Sequence, residues 1–316
     1  LDVPRGAPGL PRDYLIGFAV MVACIVVAPQ VLYPIFLMRV LCFAIFVMAF
    51  NLLAGYAGLV SFGHAAFFGM GAYIAAWTAK HWGLSAEAAV MCGALAGGAL
   101  GVVVGWLSIR RTGIYFAMVT LALAQLVYFF CVQAPFTHGE NGIQQVPRAP
   151  LFGVIPLKGG MEMYWFVAGV FLLCFLAIHR IIHSPFGNVL QAIRENEPRA
   201  TSLGYRTRNY KWIAFILSAL FSGLAGGLLA LVFGLATLET VRWTTSGEVV
   251  LMALVGGFGT VFGPLVGAFA LAAMENYLAP YGAWVTVAQG AIFVAAVLLF
   301  RRGIIGEVMA KLKVSL

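Results

Sequence analysis

The stretch NLLAGYAGLVSFGHAAFFGMGAYIAA, Asn51 to Ala76, is apolar enough for a membrane interior. Yet it carries Gly55, Gly58, Gly63, Gly69 and Gly71, with Ser61 and His64 among them. Glycine in a helix interior costs roughly 1 kcal/mol relative to alanine, so the run predicts two helices with a break between them. In hydrocarbon a break leaves backbone N–H and C=O groups unpaired, and is tolerated only where it is buried in protein or lines water. The stretch therefore predicts a polytopic membrane protein with an interrupted helix at depth.

The rest of the chain agrees. It is 62% hydrophobic and 9% charged, with mean hydropathy +0.97, too little charge to cover a water-soluble fold of 316 residues. Apolar runs of about 20 residues recur, which is the signature of helices and not of a β-barrel. The predicted fold is an all-α bundle of about ten spans: 14–33, 35–54, 63–79, 86–108, 113–133, 163–182, 210–234, 248–258, 263–280 and 283–300. The third and eighth are short. No polar linker separates folding units, so residues 1–316 read as one transmembrane domain. Cys24, Cys42, Cys92, Cys131 and Cys174 all fall in apolar runs without CxxC spacing, and read as small buried residues rather than metal ligands. The first residues, LDVPRGAPGLPRD, read as a polar N-terminus without a signal peptide.

With both termini in the cytoplasm and ten crossings, only Arg39, Lys80, Arg148, Lys158 and Arg242 of the 19 basic residues fall outside or within the membrane. That asymmetry follows the positive-inside rule. It accounts for the net charge of +8 through topology and lipid headgroups, without nucleic acid. Arg39 is expected to snorkel towards the outer interface. Glu275 and Asn276 sit at the outer end of their span, and Glu239, Arg242 and Glu248 flank an external turn. Two connections are long: an external loop, 134–162, and a cytoplasmic segment, 184–210.

The cytoplasmic segment is punctuated. Ser184 can cap and Pro185 fits a first helical position. Asn196 offers a second cap, Pro198 is tolerated in a first turn, and Gly204 supplies a left-handed stop. Two short helices are predicted, meeting near Asn196–Pro198. Joined directly to two spans, they have the form of a docking element for a cytosolic partner.

FGNVLQAIRENEPRATSLGY (Phe186–Tyr205), followed by an apolar span, resembles the cytoplasmic loop of ABC-importer permeases of the branched-chain amino acid type, the LivM family. Asn51–Tyr73, GIYFAMVTLALAQ (Gly113–Gln125) and GEVVLMALVGGFGTVFGPLVGAF (Gly247–Phe269) resemble other blocks of that family. The sequence departs from the general importer consensus of Glu-Ala-Ala with a later Gly: here Pro198-Arg199-Ala200 stands in its place, with Gly204 kept. The resemblance implies a permease subunit in a bacterial inner membrane that pairs with a LivH-like second permease, receives solute from an external binding protein, and docks two cytosolic ATPase subunits. Arg194, Glu195, Asn196, Glu197, Pro198, Arg199, Ala200 and Gly204 would form that docking element. ATP and Mg would bind the partners. The chain itself has no phosphate-cradling GxxxxGK[ST] loop and no cofactor or enzymatic role is expected.

A partial echo links GYAGLVSFGH (55–64) to GGFGTVFGP (256–264). Paired interrupted spans mark solute pathways in transporters, and here suggest an inverted five-plus-five repeat. The candidate pathway residues are Asn51, Gly55, Gly58, Ser61, Gly63, His64, Gly256, Gly257, Gly259 and Gly263. The bland alternative is close helix packing for the glycines, and for His64 a bond to a carbonyl freed at the break. A stand-alone secondary transporter or channel would also use broken helices, though no convincing ion-coupling carboxylate lies at mid-span.

Overall fold

The computed structural model describes residues 12–151, 153, 157, 160–278, 287, 290, 291, 294 and 303–312. Its helices are α1 (Arg12–Val31), α2 (Pro34–Asn51), α3 (His64–His81), α4 (Ala86–Ser108), α5 (Gly113–Gln133), α6 (Gly160–Ile182), α7 (Pro185–Glu195), α8 (Glu197–Ser202), α9 (Thr207–Phe233), α10 (Trp243–Gly256), α11 (Gly263–Leu278) and α12 (Gly303–Leu312). A π-helical turn, Leu52–Tyr56, prolongs α2. Among the described residues, five stretches are long and apolar enough to cross a membrane: Pro34–Tyr56, Ala86–Ser108, Gly113–Gln133, Gly160–Ile182 and Thr207–Phe233. Most of the expected tenth span, 283–300, lies outside the described residues, as do Arg5, Lys158, Arg301, Arg302 and Lys313.

Beside the deeply buried α2, the helices α3, α4 and α9 meet backbone to backbone. A Cβ placed on Gly93 would stand 2.6 Å from the Gly71 carbonyl oxygen, and one on Gly97 2.7 Å from that of Ala219. Without water between helices there is little hydrophobic drive to associate, so small residues that admit close approach supply the packing. Gly93 and Gly97 lie against Gly223, and Gly105 lies against Phe215, so α4 runs antiparallel to α9. Gly226 on Phe68 and Gly227 on Ala75 make α3 parallel to α9. Along the flank, Tyr14 stacks edge-on against His179 and His183, while Tyr164 donates to the Ile25 carbonyl at 2.6 Å, so α1 and α6 are antiparallel.

Arg110, Arg111, Arg199, Arg206 and Arg208 thus collect at the end of the bundle that carries α7 and α8. At the far end, a two-residue antiparallel pair joins β1 (Ile143–Gln144) to β2 (Leu235–Ala236), with Ile143 opposite Ala236. It is a small departure from the expected all-helical chain. Arg39 also departs from expectation. It forms an ion pair with Glu275 at 2.5 Å, because α2 and α11 pack side by side and a carboxylate is a better partner than the interface alone. Glu239 pairs with Arg242 at 3.0 Å on the exposed turn before α10, whereas Glu248 is half-buried on α10 itself.

Candidate functional site

The first break, residues 57–63, begins where the π turn ends. Gly58 has φ +71°, a left-handed backbone that an L side chain reaches only with strain. The amide of Leu59 donates back to the Leu53 carbonyl at 3.2 Å, tying off the helix end. Ser61 Oγ accepts from the Gly63 amide at 3.2 Å, and Thr120 Oγ1 on α5 accepts from the Phe62 amide at 3.3 Å. Ser246 Oγ on α10 accepts from the Ala65 amide at 2.8 Å, satisfying one of the donors that every helix start leaves open.

The second break, residues 257–262, follows α10 and is built from the same physics. Gly257 and Gly259 have φ +112° and +76°. Thr260 donates to the Gly257 carbonyl at 2.8 Å and accepts from the Gly263 amide at 3.1 Å, capping α11. The structure brings the two breaks into contact. Asn51 Nδ2 donates to the Thr260 carbonyl at 2.9 Å, and Asn51 Oδ1 accepts from the Gly259 amide at 2.9 Å. One buried side-chain amide therefore clasps the second break to the end of α2. Beside it, Met48, Asn51, His179, Thr260 and Pro264 border a cavity of about 10 Å³. That is the scale of one water molecule.

Both breaks follow helices that run towards the α7 end, and both lie side by side there. Counterparts in an inverted repeat would stand at opposite ends of the bundle, so the echo between 55–64 and 256–264 does not relate two inverted halves. The candidate glycines also divide. Gly55, Gly63, Gly256, Gly257 and Gly263 are buried, while Gly58 and Gly259 keep exposure. A Cβ on Gly63 would stand 2.7 Å from the Thr120 carbonyl oxygen. Gly256 and Gly263 are pressed together where α10 turns into α11.

His64 is fully buried at the start of α3, caged edge-on by Phe50 and Phe67 with Phe215 alongside. Its Nε2 meets Ser218 Oγ at 2.8 Å, and Ser218 donates to the Ala49 carbonyl at 2.5 Å. With the hydroxyl proton so committed, Nε2 carries the proton that is donated to Ser218. This relay joins α3 and α9 to α2.

The short helices α7 and α8 have the expected caps. Ser184 Oγ accepts from the Gly187 amide at 3.4 Å, Asn196 Oδ1 accepts from the Arg199 amide at 3.0 Å, and Gly204 has φ +91°. Glu195, Asn196, Pro198, Arg199 and Gly204 are exposed, and Ala200 is buried. Arg194 is also exposed and Glu197 half-buried, and both reach the bundle. Glu197 pairs with buried Lys211 of α9 at 2.6 Å, and the Arg194 guanidinium donates to the Gly55 carbonyl. An unpaired buried ammonium and an open helix end are costly, and these contacts remove both costs. Thr120, Ser218, Ser246, Thr260 and Lys211 were not singled out from sequence. Isolated hydroxyls in apolar spans carry no local mark, though Thr260 sits three residues before the start of α11, a cap spacing.

Two interrupted helices meeting at one end of an apolar bundle, clasped by buried polar groups, fit a polytopic membrane protein, and broken helices of this kind occur in transporters. The chain belongs to the family described as branched-chain amino acid transport system / permease component, whose model matches residues 33–300. It is 26% identical to the high-affinity branched-chain amino acid transport system permease protein LivM of Escherichia coli, across 85% of this chain and 68% of that protein. The LivM protein of Salmonella typhimurium is similar to the same extent. The autoinducer 2 import system permease protein LsrC of Yersinia pseudotuberculosis is 27% identical over 62% of this chain and 55% of its own. No solved structure matches the chain.

Proposed function

We propose that this chain is one of two permease subunits of an ATP-driven ABC importer in a bacterial inner membrane. It forms half of the pathway for a branched-chain amino acid or a related small solute. A LivH-like permease supplies the other half, an external binding protein delivers the solute, and two cytosolic ATPase subunits, which bind ATP and Mg, drive transport. Branched-chain amino acids are favoured over an autoinducer 2 cargo because similarity to LivM extends over 85% of the chain against 62% for LsrC.

The observation that carries the reading is mechanical. The α7–α8 pair is held rigidly between two long helices and touches the end of α2 where the breaks meet. A partner that moves this pair moves the breaks. The basic residues gathered at the same end favour a cytoplasmic side for it by the positive-inside rule. A ten-span course accords with the helix directions: α11 runs away from the α7 end, and Gly303 packs on Gly257 at that end. In this reading Asn51, Gly58 and Gly259 border the inner end of the pathway, while Ser61, His64 and the buried glycines shape it. Co-expression with candidate ATPase, permease and binding-protein subunits, followed by solute-stimulated ATP hydrolysis across candidate solutes, tests the proposal. Solute uptake by the isolated chain in liposomes without ATP would overturn it in favour of a stand-alone transporter.

A further inference from the structure

Arg194 lies in the last turn of α7, and its side chain is directed at both breaks. Its guanidinium donates to the Gly55 carbonyl in the π turn. Its methylene stem lies along the first break: a Cβ built on Gly58 would stand 3.0 Å from Arg194 Cγ. Nη1 also borders the second break, 3.4 Å from where a Cβ on Gly259 would stand. The two breaks touch at this point, since a Cβ on Gly55 would come within 2.7 Å of the Gly259 amide nitrogen.

A cation is favoured here on general grounds. α2 with its π turn and α10 both end at this seam, and each helix C-terminus carries roughly half a negative charge. A planar guanidinium presents several donors in fixed directions, which an ammonium does not. The helix that carries Arg194 is stiff. Ser184 caps its start, and Leu190 and Ile193 are buried on the bundle.

We infer that Arg194 is a positioning residue: it latches the two breaks together and carries displacement of α7 to them. What displaces α7 rests on the importer reading above. The latch itself is tested in two ways on the full chain in lipid nanodiscs.

Hydrogen–deuterium exchange reads the latch without any partner. Arg194→Met keeps the stem on Gly58 and removes the donors, so exchange over 55–63 and 257–262 should rise about tenfold, the scale of one hydrogen bond from a charged group. Exchange in α3, α4 and α9 should not change. Unaltered exchange at the breaks overturns the latch whatever the protein's function. The second measurement, in the assembled complex, is solute taken up per ATP hydrolysed, with capture of the ATPase subunits as control. Arg194→Met should lower the ratio about tenfold with capture intact, and Arg194→Lys, which restores charge without the fork, should fall between the two. If Met does not fold, the Lys variant alone decides: faster exchange at the breaks supports the latch and unchanged exchange overturns it. Loss of capture, or an unchanged ratio, overturns the role in coupling. Failure of the unaltered complex to couple ATP to uptake, with exchange still responding to Arg194→Met, refutes the importer reading and leaves the latch standing.

Discussion

At the scale of single residues, the site depends on small groups with no substitute. Asn51 holds two part-buried backbone groups of the second break. Asn51→Ala should lower stability by about 1–3 kcal/mol for each group left unsatisfied, read as a lower melting temperature of the detergent-solubilised chain. Asn51→Asp keeps the acceptor and loses the donor, so its loss in melting temperature should reflect both the missing Thr260 bond and a buried charge. Gly58 is different, since it is exposed and its φ of +71° is strained for any L residue. Gly58→Leu should impair transport more than assembly, because the side chain strains the break and crowds Arg194 while leaving the buried core alone. Uptake rate and complex yield, measured on the same preparation, separate the two effects. Equal losses in both would assign Gly58 to packing.

At the scale of elements, the short helices show what sequence can and cannot convey. Their caps, proline and glycine are local signals, and Ser184, Asn196 and Gly204 all act where their spacing predicts. The interruption after Asn51 was legible for the same reason, because glycine density is local. What was hidden is pairing across the chain. Nothing near Arg194 indicates Gly55, nothing near Lys211 indicates Glu197, and Ser218 is one hydroxyl among several until the fold sets it under His64. The direction of the breaks was hidden too, since an echo in sequence carries no information on which end of the bundle each copy faces. Two outcomes follow for α8. Ala200→Pro removes the amide that donates to the Asn196 carbonyl at 3.0 Å and costs about 3 kcal/mol locally. Solute-stimulated ATP hydrolysis should then be lost, and normal stimulation would remove α8 from the coupling route. Glu197→Gln leaves Lys211 buried without its counter-charge, and should destabilise more than Arg199→Gln on the exposed face. Adding Lys211→Met to Glu197→Gln should recover much of that loss in a double-mutant cycle of melting temperatures.

At the scale of the whole molecule, the glycine-packed trio α3, α4 and α9 and the breaks differ in mechanical character. Helices that meet through side chains can slide past one another by exchanging rotamers, which is how packed helices ordinarily shear. α3, α4 and α9 meet through peptide atoms at Gly71, Gly93, Gly97 and Gly223, where no rotamer can absorb a shift and a densely packed interior transmits strain instead of yielding. The three helices are therefore expected to translate and tilt as a single body, with compliance concentrated in the two interruptions and the joints of α7. Distances between spin labels on α4 and α9 should stay fixed through a transport cycle, while those from α7 to α10 change. The molecule would then work as a stiff frame with a soft corner, its stroke set by how far that corner opens.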